Sequence, residues 1–229
     1  MTGPESLSDL EVVIPTLNAA ASLPATLAAL PPGVSVIVSD GGSTDGTPDL
    51  ARAAGCRFVS GPCGRGQQLR RGAEAATRPW RLFLHADTVV SPEGWGAIAR
   101  HIAGPTTPAL AASLRLAIDH PAWQARWIER AVALRVRHFG LPYGDQGLLI
   151  HRDLYAAIGG YRDLPLMEDV EIMGRLGRDR HTALDGAALT SATRWRRRGW
   201  IGQTGLNLTC LALFRLGVPA ERIARLYDR

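Results

Sequence analysis

Acidic side chains fall where the local pattern of this 229-residue chain ends a strand or starts a helix. The apolar run Leu82-Phe83-Leu84 stops at His85-Ala86-Asp87, and Ser91-Pro92-Glu93 then opens a helix. This spacing puts Asp87 at the carboxyl end of a buried strand, the edge along which open α/β sheets bind ligands. A hard carboxylate oxygen there can hold Mg2+ or Mn2+ against a diphosphate that accumulates charge as it leaves. The plainer role is a cap on the following turn. A second acidic stretch, Leu166-Met167-Glu168-Asp169-Val170-Glu171, carries three carboxylates within four positions at a helix start. The helix dipole favours acids there, so surface capping is one reading. Met167 and Val170 imply partial burial, in which a carboxylate can be tuned into a general base. Just upstream, Gly159-Gly160-Tyr161 reads as a flexible turn able to present the segment to a cleft.

Two further stretches have the composition of a ligand cradle. In Ser39-Asp40-Gly41-Gly42-Ser43-Thr44-Asp45-Gly46-Thr47, Asp40 sits at a strand terminus, where its carboxylate can accept from a base N–H or a ribose hydroxyl. Gly41, Gly42 and Ser43 let backbone approach a ligand closely. The same residues also suit a tight βα turn with Asx-type bonds. Gly64-Arg65-Gly66-Gln67-Gln68-Leu69-Arg70-Arg71 sets small residues and arginine at a helix start, where helix end and guanidinium both favour a diphosphate. Arg65 is the expected contact, and Arg70 or Arg71 belongs to a solvated basic face.

The elements that must position these groups alternate. Glu11–Pro15 reads as a buried strand leaving through Thr16-Leu17-Asn18. Ser22 is placed to cap a helix through Leu23, Leu27 and Leu30. Strand 34–38, helix 48–54, short strand 57–59 and helix 64–76 follow before the Asp87 strand. Such alternation predicts a parallel sheet with right-handed crossovers. Beyond residue 104 the pattern gives a strand over 109–118, a helix over 121–138, a return to the sheet over 144–150, helices near 152–158 and 168–176, and a helical tail from Trp195 broken at 217–219. There is no internal repeat and no linker long enough to separate domains. The expectation is one α/β domain over 1–229, with halves 10–104 and 105–190 and a tail 191–229.

Bulk properties narrow the function. Hydrophobic residues make up 46% of the chain, enough for a sizeable core. No apolar run approaches the ~20 residues that span a bilayer, and the short acidic start does not read as a signal peptide. A cytoplasmic protein is expected. The three cysteines form no CxxC pattern and are expected to be buried or inert. All 26 Lys+Arg residues are arginine. A Schiff-base, Walker or kinase-type lysine is therefore excluded. Arginine, which grips phosphate bidentately, is left as the side-chain cation besides histidine. The arginines are scattered without a recognition motif, so nucleic acid is not an expected partner. The first strand exits through Pro15-Thr16-Leu17-Asn18 and not GxGxxG, which disfavours a dinucleotide-binding dehydrogenase.

Taken in order, Val13-Ile14-Pro15-Thr16-Leu17-Asn18, Val38–Thr47, His85-Ala86-Asp87 and Glu168-Asp169 resemble the motifs of family 2 glycosyltransferases, across roughly residues 10 to 180. The resemblance implies the GT-A fold, a Rossmann-like, mostly parallel central sheet flanked by helices. It implies that Pro15, Thr16, Asn18 and Asp40 hold the nucleoside, with Gly41, Gly42 and Ser43 nearby. Arg65 and Gln68 would lie near the diphosphate of a UDP- or GDP-sugar, with His85-Ala86-Asp87 completing the donor site. Asp87 would be the metal-binding carboxylate for Mn2+ or Mg2+, and Asp169 the catalytic base beside Glu168. Two positions depart from the pattern. His85 stands where a D-x-D motif has its first acid, and Ala19-Ala20 follow Asn18 where many members carry acids. His85 itself is expected to pack or hydrogen-bond. Gly144-Asp145-Gln146-Gly147 and Tyr227-Asp228-Arg229 resemble a bacterial subgroup of radical-SAM/selenodomain-associated transferases.

The expectation is an inverting, metal-dependent glycosyltransferase acting on an unknown small-molecule, glycan or lipid-linked acceptor. A nucleotidyltransferase would show a glycine-rich basic loop after the first strand, where this chain has Pro-Thr-Leu-Asn. A non-catalytic nucleotide-sugar or lipid-binding module gains weight from the altered D-x-D. In the tail, Trp195, Arg196, Arg197, Arg198 and Trp200 precede an apolar helix, Leu206 to Leu216. Such a segment can dock at the inner face of an anionic membrane. It can equally pack on the catalytic domain or a homodimer partner, and packing is the expectation.

Overall fold

The computed structural model describes residues 7–105 and 107–227. Among them an eight-stranded sheet runs β3-β2-β1-β4-β7-β6-β8-β5. Its first half comprises β1 (Leu10–Thr16), β2 (Ser35–Asp40), β3 (Arg57–Ser60) and β4 (Trp80–Phe83), all paired in parallel. Parallel strands are covered on both faces and so read as apolar runs. In β1, Leu10, Val12, Val13 and Ile14 are all fully buried. Alternation splits them: Val12 and Ile14 join one core, and Val13 the core on the other face. The crossovers are α1 (Leu23–Ala28), α2 (Thr47–Ala53) and α3 (Arg65–Ala75). Gly72 lets α3 lie on the sheet, since a Cβ there would meet Val13 Cγ1 at 2.3 Å.

Strand order reverses at β1. The chain moves outward through β2 and β3, then returns to place β4 on the other side of β1. Such a switch point opens a crevice beyond the carboxyl ends of the two strands. The exits bordering it are Thr16-Leu17-Asn18 and His85-Ala86-Asp87.

The second half of the sheet comprises β5 (Thr88–Val90), β6 (Ala111–Asp119), β7 (Leu148–His151) and β8 (His181–Ser191). β7 runs antiparallel to β4 and to β6, β8 runs parallel to β6, and β5 pairs antiparallel with β8. Residues 84–87 thus lead from the fourth strand in the order to the eighth. In a flat sheet these would stand about 19 Å apart, four spacings of ~4.8 Å. The connection contains a turn, with Thr88 N–H on the His85 carbonyl at 3.2 Å. The sheet therefore curls, and Asp87 lies on the connection that joins its fourth and eighth strands. α4 (Pro92–Ala103) follows, with Ser91 Oγ accepting from Gly94 N as its cap, a bond worth about 1 kcal/mol.

Helices α5 (Trp123–Phe139), α6 (Arg152–Ala157) and α7 (Glu168–Leu176) come next, then α8 (Thr193–Arg198), α9 (Trp200–Arg215) and α10 (Ala220–Tyr227) in the tail. The α7 limits match the expected helix. β5 and β8 were not expected as strands. β8 has alanine, glycine and aspartate where β-branched residues would advertise a strand. It is seated by contact: Gly186 lies so close to α4 that a Cβ would meet Gly94 Cα at 2.2 Å. Ser22 precedes α1 as expected but does not cap it, because its hydroxyl turns back to the Ala19 carbonyl. At the Gly159-Gly160 turn the Arg175 guanidinium donates to the carbonyls of Ile158 and Gly160.

Candidate active site

The two acidic stretches face one narrow cleft of about 70 Å³, bordered by Arg65, His85, Asp145, Glu168, Asp169 and Arg194 among others. Asp87 adjoins it. Its carboxylate stands 4.0 Å from the Arg194 guanidinium and makes no hydrogen bond among the described residues.

Local geometry brings α3 and α7 together. Gly66 N–H donates to the Leu164 carbonyl at 2.9 Å. A Cβ on Gly66 would lie 2.1 Å from the Arg162 carbonyl oxygen, so only glycine allows this approach. Arg65 is thereby set 3.7 Å from Glu168. Met167 takes a left-handed conformation, φ 66°, at the N-cap of α7. For a side chain of its size this is an unusual backbone state. It turns the chain so that α7 opens with its acids at the cleft.

Asp169 is held by main chain, with Oδ2 accepting from Gly144 N at 2.9 Å and Oδ1 from Val170 N at 2.7 Å. Glu168 is only 2% exposed, and its Oε2 has no partner. Burial, reinforced by the neighbouring Asp169 charge and opposed by Arg65, pushes its carboxyl up to about 8. Asp145 Oδ1 is likewise buried and unpartnered. Burial raises the Asp145 carboxyl to about 6, with Arg135 opposing and Asp169 adding to the rise. His85 is buried, and burial together with the Arg65 and Arg194 charges holds its pKa well below the usual imidazole value. Its ring packs on Gly144, where a Cβ would come within 2.5 Å of Nε2. The Ala86 carbonyl accepts from Thr26 Oγ1 at 2.9 Å.

The residues expected on the nucleoside side are organised differently. Asp40 Oδ1 accepts from Thr16 Oγ1 at 2.9 Å and Ser43 Oγ at 2.5 Å, and Oδ2 accepts from the Gly42 and Ser43 amides at 2.8 Å each. Burial raises its pKa, but these bonds outweigh it and hold the carboxyl below the ordinary value. Asn18, at φ 51°, accepts the Thr44 amide on Oδ1 at 2.9 Å and donates its own N–H to Ser43 Oγ at 2.8 Å. Pro15 is half-buried where β1 ends, and Gly42 is exposed at the loop tip. Gln68 is buried under the loop, its Nε2 donating to the Thr16 carbonyl at 2.6 Å. Its amide also lies 3.0 Å from where a Gly41 Cβ would be. Arg70 is exposed and paired with Glu74, whereas Arg71 donates to the Asp40 carbonyl at 2.6 Å.

Asp145 and Arg194 were not singled out as site residues from sequence. Asp145 stood within Gly144–Gly147, a motif noted without a role. Arg194 opens the arginine run that drew attention for its surface character. Trp195 is buried and stacked on Trp200, so the tail packs on the body of the protein as expected. All three cysteines are free; Cys210 is buried, Cys56 half-buried and Cys63 exposed.

Comparison with known proteins places the chain among glycosyltransferases. Relatives described as uncharacterized glycosyltransferases, from Mycobacterium bovis and Mycobacterium tuberculosis, are 43% identical over 77 residues. The aligned stretch is 33% of this chain and spans about a third, 35%, of those relatives. Among solved structures, glucosyl-3-phosphoglycerate synthase from M. tuberculosis, in complex with Mn2+, UDP and glucosyl-3-phosphoglycerate, superposes with a TM-score of 0.62. That likeness covers 96% of this chain and 85% of the other at 20% identity. A mannosyltransferase from Pyrobaculum calidifontis with GDP-Man and Mn2+ gives 0.61, covering 83% and 61% at 20% identity. At such identities these likenesses establish the GT-A fold. The model of "Glycosyl transferase family 2" matches residues 11–150. That span runs from the buried Glu11 to Ile150 in β7 and includes the Asp40 loop, α3 and Asp87, so the chain belongs to glycosyl transferase family 2.

Proposed function

We propose that the chain is an inverting glycosyltransferase. It moves a sugar from a UDP- or GDP-sugar to an acceptor hydroxyl, with Mn2+ or Mg2+ bound. One observation carries the reading: Asp169 and Arg65 border the same cleft as Arg194, which lies against Asp87. The nucleotides and Mn2+ named with the two fold neighbours support the choice of donor and cation.

Asp169 accepts the acceptor's proton as its oxygen attacks the anomeric carbon in line with the departing nucleotide. The Gly144 and Val170 amides fix the carboxylate's direction and leave it further lone pairs for that proton. Glu168, kept protonated near neutral pH, adds no second full negative charge beside the base. Asp87 is the cation's protein ligand. No group of three or more His, Cys, Asp or Glu able to hold a metal ion occurs among the described residues. This suits a hard cation bound through one or two carboxylates and substrate phosphates. When bound, the cation neutralises charge developing on the leaving diphosphate. Arg65 and Arg194 add fixed positive charge on the same side.

Pro15, Thr16, Asn18, Asp40, Gly41, Gly42 and Ser43 form the nucleoside edge, in which Asp40 and the buried Gln68 keep the loop in shape. His85 and Ala86 shape the floor. Residues 10–104 bind the donor, 105–190 carry the base and acceptor side, and 191–229 wall the cleft. Gly144–Gly147 aligns the chain with the radical-SAM/selenodomain-associated subgroup, while Asp228 and Arg229 of its second motif lie outside the described residues. No described helix is long and apolar enough to cross a membrane.

Product analysis tests the reading. With UDP- or GDP-sugar, Mn2+ and an acceptor panel, free nucleoside diphosphate is the expected product. Pyrophosphate release would favour a nucleotidyltransferase, and metal-dependent binding without turnover a non-catalytic binder.

A further inference from the structure

We infer that the tail carries a second pocket, which binds an oxyanionic group of the phosphate type on the acceptor. The link to an acceptor rests on the glycosyltransferase reading; the pocket itself does not.

Arg194, Arg197 and Arg198 occupy i, i+3 and i+4 of α8, so they share one face of the helix. Together with Gln203 and Tyr227 they line a cavity of about 230 Å³. Trp195, on another face, is buried in a core cluster with Leu116, Ile118 and Ala125, and this anchors the rotation of α8. Among the described residues no carboxylate lines the cavity. Arg198 is oriented by donating to the Tyr227 carbonyl at 2.7 Å. Gln203, 2% exposed, donates to the Tyr227 hydroxyl at 3.2 Å and so fixes the opposite wall. Arg197 has no hydrogen-bond or ion-pair partner among the described residues.

Arg194 stands against Asp87, but Arg197 and Arg198 have no carboxylate partner among the described residues, and an oxyanion relieves their mutual repulsion through charge-assisted, forked hydrogen bonds. Attraction of cations to a helix C-terminus accounts for Arg196 as well as for Arg197 and Arg198. It does not account for the sorting, because Arg196 is absent from the pocket wall. The cavity shares Arg194 and Tyr227 with the catalytic cleft. An anion held there lies beside the cleft that Asp169 borders, with Arg194 and Tyr227 between them.

Calorimetric titration of the full chain with glycerol 3-phosphate and with glycerol tests the pocket. Flotation with phosphatidylglycerol or phosphatidylcholine vesicles distinguishes a small phosphorylated acceptor from a lipid headgroup. Saturable binding of glycerol 3-phosphate but not glycerol is expected, weakened at least tenfold by Arg197→Glu and unchanged by Arg196→Glu. Binding to phosphatidylglycerol vesicles alone, with the same contrast between variants, supports the pocket and assigns its anion to a headgroup. Equal loss in both variants, or binding to neither probe, overturns it. Thermal melts of the two variants, both altered at exposed positions, control for folding. A parallel UDP titration with Mn2+ separates the two claims. Nucleotide binding without anion binding removes the pocket alone, and anion binding without nucleotide binding removes the donor reading alone.

Discussion

The Asp40 loop and the Asp169 cleft both gather carboxylates at the sheet's edge, yet they treat them in opposite ways. Asp40 accepts four hydrogen bonds from its own surroundings, and its pKa is depressed. In the cleft, Glu168 and Asp145 each keep a buried oxygen without a partner, and their pKa values are raised. A saturated acid stabilises the fold, whereas acids left unsatisfied at a cavity store electrostatic potential for a ligand. Nearly all buried polar groups in native proteins are paired, so the exceptions are informative.

The sharpest way to break this contrast is Asp169→Asn. We expect kcat to fall by about 10²–10⁴-fold, the usual weight of a general base, with nucleotide affinity nearly intact. Steady-state rates beside calorimetry would measure both, and normal turnover would remove Asp169 from the mechanism.

Asp40→Ala should act on stability. It strands the Thr16 and Ser43 hydroxyls and two amides, at a cost on the order of 3 kcal/mol by denaturant unfolding. Because the folded pKa of Asp40 lies below its unfolded value, its contribution is present above the ordinary carboxylate pKa. It is lost as pH falls through the depressed value. The gap between wild type and variant should therefore close in acid and stay constant from pH 5 upward.

Glu168→Gln should show the opposite pH trend. With a folded value near 8 against 4.5, the native state holds a proton that the unfolded chain releases between those pH values. Wild-type stability consequently declines across that window. The variant, which lacks this titration, should gain on the order of 3 kcal/mol over wild type near pH 7 and little at pH 4. Parallel stability curves for the two proteins would mean that Glu168 is ionised in the folded state.

How legible the molecule was in its sequence follows the same division. The first half could be read because both faces of its strands are covered, so β1 and β4 announce themselves as apolar runs. α7 could be read from its acids, with Met167 and Val170 marking a partly buried side. β8 could not, because its place depends on Gly186 meeting α4 and on pairing with β6, which local propensity does not encode. Among site residues, Asp87 and Asp169 stood out by position at element ends. Whether Asp40 was saturated and Glu168 was not depended on which amides the fold brought near. Arg194 was hidden in a run of arginines until the packing of Trp195 showed which face of α8 turned inward.

The most direct test of the central claim is titration of UDP and GDP into wild type and Asp87→Asn, each with Mn2+ and with the metal chelated. The account predicts that one nucleotide binds wild type in a Mn2+-dependent manner and that Asp87→Asn loses this dependence along with most of the affinity. Equal binding with and without metal, or an Asp87→Asn variant that binds like wild type, would contradict it.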